Sequence, residues 1–485
     1  MNKRWAVVAL AATLLIGSLA QGCSSRPAAS VVSPQAAQNG WLDESIYFIM
    51  VDRFNDGDPG NDQGVNLANP KAWHGGDLQG VIDKLDYIKS MGFTAIWLTP
   101  IVKNVGNDYH GYGAIDFFQV DPHFGTIDKA KELVDKAHAK GIKVIFDVVV
   151  NHTGPYSPLV TEHPDWFHPK STITNWNDPK QVQDGWIYDL PDFDQTKQPV
   201  RDYILSYSKF WIEKTDADGF RLDTVRHVPE EFFTWYAGEL QKAKPGFWLI
   251  GEVYDSNPMR LAPYQKTGIT AMLDFPTDDT ARAVFANDRS MTALANTLNA
   301  VSRNMIDPYQ MGGFLDNHDM SRFATLAHDD QLRRLKLALT FLFTNRNIPI
   351  LYYGTEIAMP GGNDPDNRHD FPWGKEQNTD VRELVTKLNQ LRAAHPAFRR
   401  GTITPLISGQ WHYAYFRSYE QDAAVVVLNN DAEHPFTDAI SLGESGLADG
   451  TVLKDALTGA EAKVAGGKLQ VNVAPRTGAI YLKGK

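Results

Sequence analysis

The stretch Gly219-Phe-Arg-Leu-Asp-Thr-Val-Arg-His227 is an apolar, strand-like run that ends in charged residues. Three other segments have the same form, namely Asp147-Val-Val-Val-Asn-His152, Ile250-Gly-Glu-Val-Tyr254 and Phe314-Leu-Asp-Asn-His-Asp319. An ionised carboxylate at the end of a buried strand is costly unless it is paired, because charge resists leaving water. Carboxylates on three separate strand ends therefore predict a polar pocket for acid/base or nucleophilic chemistry: Asp223, Glu252 and Asp319.

From Trp41 onward the chain alternates strand-like and helix-like segments, which predicts a parallel sheet with helical crossovers. The strand candidates are 45–53, 93–99, 143–150, 219–224, 247–253, 271–275, 313–316 and 348–353. Helical patterns lie between most of them, at 78–91, 127–140, 201–214, 230–242, 332–344 and 381–394. We therefore predict an α/β fold, a (β/α)8 TIM barrel formed by residues 41–151 and 199–400, with its chemistry at the C-terminal strand ends.

Two regions depart from this alternation. Between His152 and Gln198 the helix expected after the third strand is delayed by a loop rich in Trp, Asp, Pro and Asn. A structureless loop of that length is improbable unless it is functional, so residues 152–198 are interpreted as an insertion. After Arg400, short β-type runs separated by Gly, Asp and Asn predict a C-terminal all-β sandwich domain at residues 401–485.

The composition sets broad limits on function. With 485 residues, 43% of them hydrophobic and 22% charged, the chain can bury a substantial core and is not typical of disordered proteins. Its net charge of −11 and the lack of a basic stripe give no electrostatic case for binding nucleic acid. We expect a monomer.

The N-terminus indicates export. A charged start, an apolar run at residues 5–16 and small residues before Cys23 form a secretory signal too short to be a good spanning helix. Cys23 is the only cysteine, which excludes an intramolecular disulfide. Its place after Leu19-Ala-Gln-Gly22 resembles the bacterial lipobox, which implies a signal peptide at 1–22, lipidation of Cys23 and a flexible tether at 23–40. The protein would then be held at the outer membrane or cell surface; after cleavage of a plain signal peptide it would be periplasmic or secreted.

The order and sequence of the four charged segments resemble the α-amylase family of retaining glycosidases, glycoside hydrolase family 13. The resemblance implies that Asp223 is the nucleophile, that Glu252 is the acid/base, and that Asp319 binds sugar hydroxyls and favours an oxocarbenium-like transition state. It also implies that residues 152–198 form the family's domain B. Arg221 points the same way as Asp223 along the strand and is expected to keep it ionised. Apolar neighbours and nearby carboxylates are expected to raise the pKa of Glu252.

The same resemblance assigns residues to substrate binding. His110 and His318 would contact sugar hydroxyls, and Tyr112 would stack beneath a sugar ring. The loop Gly361-Gly-Asn-Asp-Pro-Asp-Asn-Arg368 resembles the family loop whose Asp and Arg hold the next sugar, here Asp364 and Arg368. One departure is Val225-Arg226-His227, where many α-amylases have Lys-His. Because Arg is planar and bulkier than Lys, contacts on the leaving-group side are expected to differ.

Calcium is the metal that the resemblance implies, since it takes six to eight oxygen ligands. The family site between barrel and domain B corresponds to Asn151, Asp192 and the backbone carbonyl of His227. A second cluster resembles a calcium site of the cyclodextrin glucanotransferase branch and comprises Asp56, Asp58, Asn61, Asp62, Gly75 and Asp77. The alternative for this cluster is an acidic solvent loop. Zinc is disfavoured, because the sequence offers no available cysteine and no paired-His helix motif.

We therefore expect an exported, endo-acting hydrolase of α-1,4-glucosidic bonds whose partner is an α-glucan polysaccharide or oligosaccharide. The nearest alternative is a cyclodextrin or pullulan hydrolase, or a glucanotransferase, built on the same residues. A non-catalytic glycan-binding lipoprotein is a remote alternative, because such a protein would be expected to lack Asp223 or Glu252. Structural ion pairs could account for any one carboxylate alone, but poorly for three in family order.

Overall fold

The computed structural model describes residues 40–106, 108–375, 379–443 and 445–483. Cys23 and almost all of the predicted tether lie outside the described residues, as does the signal segment. Among the helices that the structure describes, none combines the length and the hydropathy needed to cross a membrane.

The strands described are β1 (Ile46–Ile49), β2 (Ala95–Leu98), β3 (Val102–Asn104), β4 (Ala114–Val120), β5 (Lys143–Val149), β6 (Gly219–Asp223), β7 (Trp248–Gly251), β8 (Ala271–Leu273), β9 (Met311–Gly313), β10 (Ile348–Tyr352), β11 (Thr402–Ser408), β12 (His412–Tyr419), β13 (Asp422–Asn429), β14 (Phe436–Ser441), β15 (Val452–Asp455), β16 (Glu461–Ala465), β17 (Lys468–Val473) and β18 (Thr477–Lys483).

The α-helices described are α1 (Val51–Phe54), α2 (Leu78–Asp83), α3 (Leu85–Ser90), α4 (Ile127–Ala139), α5 (Leu159–Glu162), α6 (Pro179–Asp184), α7 (Gln198–Thr215), α8 (Glu230–Ala243), α9 (Pro258–Gln265), α10 (Phe275–Phe285), α11 (Met291–Asn304), α12 (Phe323–Leu326), α13 (Gln331–Thr344), α14 (Thr379–Ala394) and α15 (Pro396–Arg400). Short 3-10 turns lie at Gly40–Asp43, Pro59–Asn61, Pro164–Trp166, Val225–His227, Thr355–Ile357 and Asp366–Arg368.

Eight parallel strands close into a barrel in the order β1-β10-β9-β8-β7-β6-β5-β2, which confirms the predicted TIM barrel. All eight predicted strands overlap barrel strands, although the seventh, β9, begins and ends earlier than the predicted 313–316. Every residue of β6 is buried, since a parallel strand inside a ring of helices has no face open to water. Its apolar sequence therefore delivers Asp223 at the C-terminal end of the barrel, where this fold places its chemistry.

The segment between β5 and α7 contains little regular structure. It holds α5, α6 and a 3-10 turn, and its ends are joined by isolated bridges that pair His152 with Asp192 and Phe167 with Phe193. Phe167 and Phe193 stack with their ring centroids 4.9 Å apart. These contacts return the chain to the barrel before α7 begins, so the segment lies against the C-terminal end of β5.

The strands after α15 form the C-terminal antiparallel domain that the sequence predicts. Their order is β11-β12-β13-β18-β15-β16-β17-β14, and the first and last strands of this order approach each other. Side chains from seven of these eight strands share one buried cluster, in which Val425, Val464 and Leu469 are fully buried. The buried Arg417 donates hydrogen bonds to the carbonyls of Thr344 at 2.8 Å and Gly401 at 3.0 Å, which joins this domain to α13 of the barrel.

Candidate active site

Arg221 stands on β6 in the middle of three carboxylates. Its Nη1 lies 2.7 Å from Asp223 Oδ1, and its Nη2 lies 2.7 Å from Glu252 Oε1. Nη1 also donates to both carboxylate oxygens of Asp147, at 3.0 and 3.1 Å. The Arg221 side chain is only 1% exposed, so these contacts are made away from bulk water, where charge pairs are strong.

The register of three neighbouring strands produces this cluster. Asp147 on β5 pairs with Arg221 on β6, which pairs with Ile250 on β7. Glu252 follows two residues after Ile250, just as Asp223 follows Arg221. The two carboxylates consequently leave adjacent strands at the same level, and side chains with this spacing face the same side.

The turn after β6 adds a further contact. Thr224 has a left-handed backbone with φ +48°, which is rare for a β-branched residue and marks local strain. In this conformation its backbone N–H donates to Glu252 Oε2 at 3.1 Å. Glu252 is thereby held from two sides, by Arg221 and by Thr224.

Asp147 is a site residue to which the sequence analysis assigned no role. In addition to Arg221, it accepts hydrogen bonds from the Tyr112 hydroxyl at 2.9 Å and from Trp97 Nε1 at 3.2 Å. The signal was present in the sequence, because Asp147 is the one charged residue inside an otherwise apolar run before Asn151. It positions Arg221 and Tyr112, which in turn surround the two carboxylates.

Burial changes the protonation of the acidic groups. It raises the pKa of Glu252 to about 8, helped by the negative charges of Asp223 and Asp319 and opposed by Arg221. This agrees with the expected direction and leaves Glu252 protonated at neutral pH. Burial likewise raises the pKa of Asp147 to about 7 and raises that of Asp319. The site therefore contains one carboxylic acid able to donate a proton, Glu252, next to other carboxyl groups that contact Arg221 or Arg368.

Asp319 belongs to the same site through Arg368. The Arg368 guanidinium places Nη2 3.5 Å from Asp319 Oδ1 and Nη1 3.1 Å from Asp364 Oδ1. Its Nε donates to the carbonyl of His318 at 2.9 Å. The structure thus brings together His318, Asp319, Asp364 and Arg368, which the family resemblance assigned to the site from two distant segments.

His110, Tyr112 and His318 form one wall of the site. The Tyr112 ring stacks on His318 with centroids 5.2 Å apart and planes 9° apart. Gly111 lies between His110 and Tyr112 in the chain and has φ +91°. A Cβ at this position would lie 2.1 Å from the Pro100 carbonyl oxygen, so only glycine fits there. Burial lowers the pKa of His110 to about 4 and lowers that of His318 as well, so both rings are neutral at neutral pH.

Arg226, which stands where many α-amylases have the lysine of Lys-His, contacts Asp255 and Trp176. Its Nη1 lies 3.2 Å from Asp255 Oδ2, and its Nη2 donates to the Trp176 carbonyl. Asp255 also pairs with Arg260 at 2.7 Å, and Arg260 Nη2 donates to Asn177 at 2.6 Å. Arg226 therefore links the 152–198 segment to the loop after β7.

The residues assigned to the first calcium site fit such an ion. Asn151 Oδ1 and Asp192 Oδ1 are buried and have no hydrogen-bond partner among the described residues. Buried oxygens of this kind are suited to a hard cation. Burial raises the pKa of Asp192 to about 7, although His168 opposes this. The His227 ring donates from Nδ1 to the Val182 carbonyl at 2.9 Å, which ties the residue to α6; the group that the resemblance assigns to the ion is the backbone carbonyl of His227.

The second cluster fits calcium in part. Asn61 Oδ1 and Asp62 Oδ1 are buried and unpartnered among the described residues, and a Cβ on Gly75 would lie 2.7 Å from Asp62 Oδ1. Asp56 is exposed, and its pKa is raised by partial desolvation and by the negative charges of Asp62 and Asp58.

Asp58 and Asp77 instead brace the loop. Asp58 Oδ1 accepts from the Gly60 N–H at 3.1 Å. Asp77 accepts from four donors, the N–H groups of Gly57, Asp58 and Gly80 and the Asn61 side-chain amide. A carboxylate has about four lone-pair sites, so Asp77 is better suited to hold the loop than to bind a metal. Within the described ranges, no three His, Cys, Asp or Glu side chains gather as a metal cluster.

The comparison with known proteins agrees with this geometry. Residues 48–401 match the family model of the alpha amylase catalytic domain. The chain belongs to the alpha-amylase family. It is therefore a glycoside hydrolase of that family, with the barrel and the C-terminal sheet domain found in its relatives.

Three similar proteins illustrate the range of similarity. The crystal structure of an Anoxybacillus alpha-amylase has a TM-score of 0.89 and 45% identity, and the match covers 92% of this chain and 99% of that one. A beta/alpha-amylase of Paenibacillus polymyxa is 36% identical over 93% of this chain, which spans only 38% of that longer protein. A cyclomaltodextrin glucanotransferase of Klebsiella oxytoca is 31% identical over 84% of this chain and 73% of its own length.

Proposed function

We propose that this alpha-amylase family member is an exported, endo-acting hydrolase of α-1,4-glucosidic bonds in starch, glycogen and maltodextrins, acting with retention of configuration. The observation that carries the proposal is the attachment of Asp223 and Glu252 to opposite ends of one guanidinium, each at 2.7 Å. Retaining glycosidases need carboxyl groups about 5–5.5 Å apart, whereas inverting enzymes leave room for a water between groups about 6.5–9.5 Å apart. A single bridging arginine favours the shorter separation.

In the first step Asp223 attacks the anomeric carbon as the glycosidic bond breaks, and Glu252 gives its proton to the departing oxygen. A glycosyl ester on Asp223 results. In the second step Glu252, now ionised, takes a proton from water, and the resulting hydroxide displaces Asp223 from the anomeric carbon. The raised pKa of Glu252 suits both roles, because the group is protonated before the first step and becomes a competent base after it.

The remaining residues hold the sugar. Asp319, braced by Arg368 at 3.5 Å, would bind hydroxyls of the reacting sugar and favour its distorted transition state. His110 and His318, held neutral by burial, can donate and accept hydrogen bonds without adding charge. Asp364 and Arg368 would hold the next sugar on the non-reducing side.

Calcium would be held by Asn151, Asp192 and the carbonyl of His227, and by the Asn61–Asp62 region of the second cluster. When bound at the first site, calcium would cross-link the barrel and the 152–198 segment. Both proposals rest on the buried, unpartnered amide and carboxylate oxygens of these described residues.

A second candidate activity is glucan transfer, since a relative named a cyclomaltodextrin glucanotransferase is 31% identical over 84% of this chain. The first step is common to both activities. The second differs only in whether water or a sugar hydroxyl attacks the glycosyl ester. Product analysis therefore separates the two activities, whereas the loss of activity on mutation does not.

The direct test is the release of reducing sugar from soluble starch, with product chromatography from starch, pullulan and β-cyclodextrin. We expect mixed maltooligosaccharides from starch and little cyclic product. Asp223→Asn, Glu252→Gln and Asp319→Asn should each lower turnover at least about a thousandfold while circular dichroism and melting show an intact fold. A starch-inactive wild type would contradict the hydrolase, and cyclic products as the main output would favour transfer.

We also propose that the protein is exported and anchored by lipid on Cys23. One acyl chain gives only marginal membrane binding, so stable attachment requires more than one. Cells expressing wild type and Cys23→Ser would be fractionated and blotted. Wild type in the membrane fraction and the variant in the soluble fraction are expected; equal solubility of the two would show that the enzyme is periplasmic or secreted instead.

A further inference from the structure

A small cavity with both polar and apolar lining lies beside the barrel wall, and none of its lining residues is one of the carboxylates that contact Arg221. It is bounded by the start of α10, the end of β9, the end of α13 and the residues before β10, and its lining includes Asp274, Asp278, Asn345 and Asn347. It leaves about 10 Å³ for the centre of a guest the size of water. That volume corresponds to a single guest.

Asp278 is the unusual member of this lining. Its residue is 1% exposed, and neither carboxylate oxygen has a hydrogen-bond partner among the described residues. The nearest cation is Arg282, whose Nη1 lies 3.8 Å from Asp278 Oδ2, beyond hydrogen-bond distance. A buried carboxylate without hydrogen bonds is costly unless it binds a proton or a cation, and burial accordingly raises the pKa of Asp278.

The neighbouring side chains point to the chemistry of that group. Asn345 and Asn347 are 2% and 5% exposed, and the Oδ1 atom of each lacks a partner within the described part of the chain. With the two oxygens of Asp278, four acceptors belong to residues that line the cavity, against two unpaired donor groups, Asn347 Nδ2 and Thr277 Oγ1. Both donor groups are neutral and cannot offset an ionised Asp278, whereas a cation held by carboxylate and amide oxygens can.

We propose that this cavity binds one monovalent, potassium-sized cation through Asp278, Asn345 and Asn347. Carboxylate and amide oxygens are hard ligands and suit alkali and alkaline-earth ions. Asp274 adds a second negative charge to the lining, although its Oδ1 is occupied by the Thr277 N–H at 3.1 Å, and Arg282 offsets part of the total. The small net charge favours a monovalent ion, since divalent sites use more carboxylates. Potassium–oxygen distances resemble the oxygen–oxygen distances in hydrogen-bonded water, so a potassium ion fits a cavity that admits one water-sized guest.

Such an ion would join three elements of the barrel. Asp278 lies in the first turns of α10, Asn345 directly follows α13, and Asn347 directly precedes β10. The lining also includes Leu315, which lies on the short loop that leads from β9 to Asp319. The site is independent of the proposed reaction and does not use its carboxylates.

Thermal unfolding tests the proposal on the purified protein with calcium held saturating. Potassium chloride would replace choline chloride at constant ionic strength. The wild-type melting temperature should rise by about 1–2 °C once potassium reaches ten times its Kd, because a ligand bound only to the native state stabilises it by mass action. Equal melting temperatures in the two salts would overturn the proposal.

Two variants and one control localise the effect. Asp278→Asn and Asn347→Leu should each remove the potassium-dependent shift, so the test survives if one of them fails to fold. Asp279→Asn makes the same charge change at the next, exposed residue of α10 and should keep the shift. Crystals soaked in thallium, which replaces potassium, should show an anomalous peak between Asp278 and Asn347. A folded Asp278→Asn variant that keeps the wild-type shift, or a map without this peak, would contradict the site.

Discussion

Replacing Arg221 by methionine tests the electrostatic account of the site. Methionine keeps an unbranched apolar stem but removes the guanidinium that contacts Asp147, Asp223 and Glu252 at 2.7–3.1 Å. The arginine is 1% exposed, and the Asp147, Asp223 and Glu252 side chains that it contacts are 0%, 8% and 6% exposed, so little water can compensate the carboxylates left behind. Removing one partner of a buried charge pair typically costs about 3–5 kcal/mol, so we expect a loss of this size at pH 8.

The loss should depend on pH in a defined direction. Burial raises the pKa of Asp147 to about 7 and of Glu252 to about 8, and Arg221 opposes both shifts. Acids with raised folded-state pKa values lower stability as pH rises above their unfolded values, because the folded state then binds more protons than the unfolded state. Without Arg221 this penalty grows, so the variant should be weakest near pH 8 and recover in part towards pH 5 as the carboxyl groups protonate.

The assay is denaturant unfolding of the wild type, Arg221→Met and Arg221→Lys between pH 5 and 8. Lysine keeps the charge but replaces the planar, five-donor fork of arginine by a compact ammonium group, so an intermediate loss is expected. The control is Arg260→Met, which removes a 40% exposed arginine paired with Asp255 and should cost about 0–1 kcal/mol. If Arg221→Met costs no more than this control, or costs more at pH 5 than at pH 8, the reasoning is refuted.

Three further predictions concern activity and metal. As pH rises through about 8, kcat/KM should fall, because burial raises the pKa of Glu252 to about that value and the proton donor is then lost; a plateau continuing well above pH 9 would contradict this. Asp147→Asn should lower kcat roughly 10-fold to 100-fold, the range typical of lost supporting contacts, with a smaller change in KM; wild-type kcat would exclude a positioning role. Exhaustive chelation should lower the melting temperature of the wild type, and less so that of Asp192→Asn; metal analysis that finds no calcium before chelation, with unchanged melting, would refute calcium binding.

Local patterns were sufficient to predict the barrel strands and the helices α2, α3, α4, α7, α8, α13 and α14. The long apolar runs that end in Asp223 and Glu252 are unambiguous, since a buried parallel strand must be apolar along its length. The seventh strand was placed too late because Gly312 and Gly313 carry no strand-favouring side chain, whereas the following Phe314 and Leu315 do. Among the longer helices, α9, α10 and α11 were not predicted. Pro263 interrupts the helical pattern of α9, and α10 and α11 are rich in Thr, Asp, Asn and Ser, which favour helices only weakly.

The site was predictable where a residue lies at the end of a strand and not where its role depends on contacts between strands. Asp147 sits within β5, and its three hydrogen-bonding partners come from other segments, so spacing along the chain does not assign it a role. The same holds for Asp77, whose four donors lie on both sides of a loop, so spacing along the chain does not indicate that it braces this loop. Asp278, whose oxygens accept no hydrogen bond among the described residues, likewise has no local signature, because its cavity forms only when α10, α13 and β9 pack together.

The central claim is that Asp223 and Glu252 act in sequence on one anomeric carbon. A proton NMR time course of maltooligosaccharide cleavage follows the configuration of the new reducing end before mutarotation scrambles it. Two displacements at that carbon restore its configuration, so the account predicts that the α-anomer signal appears first and the β-anomer grows only later. A β-anomer signal that appears first would show a single displacement and would contradict the assigned roles of both carboxylates.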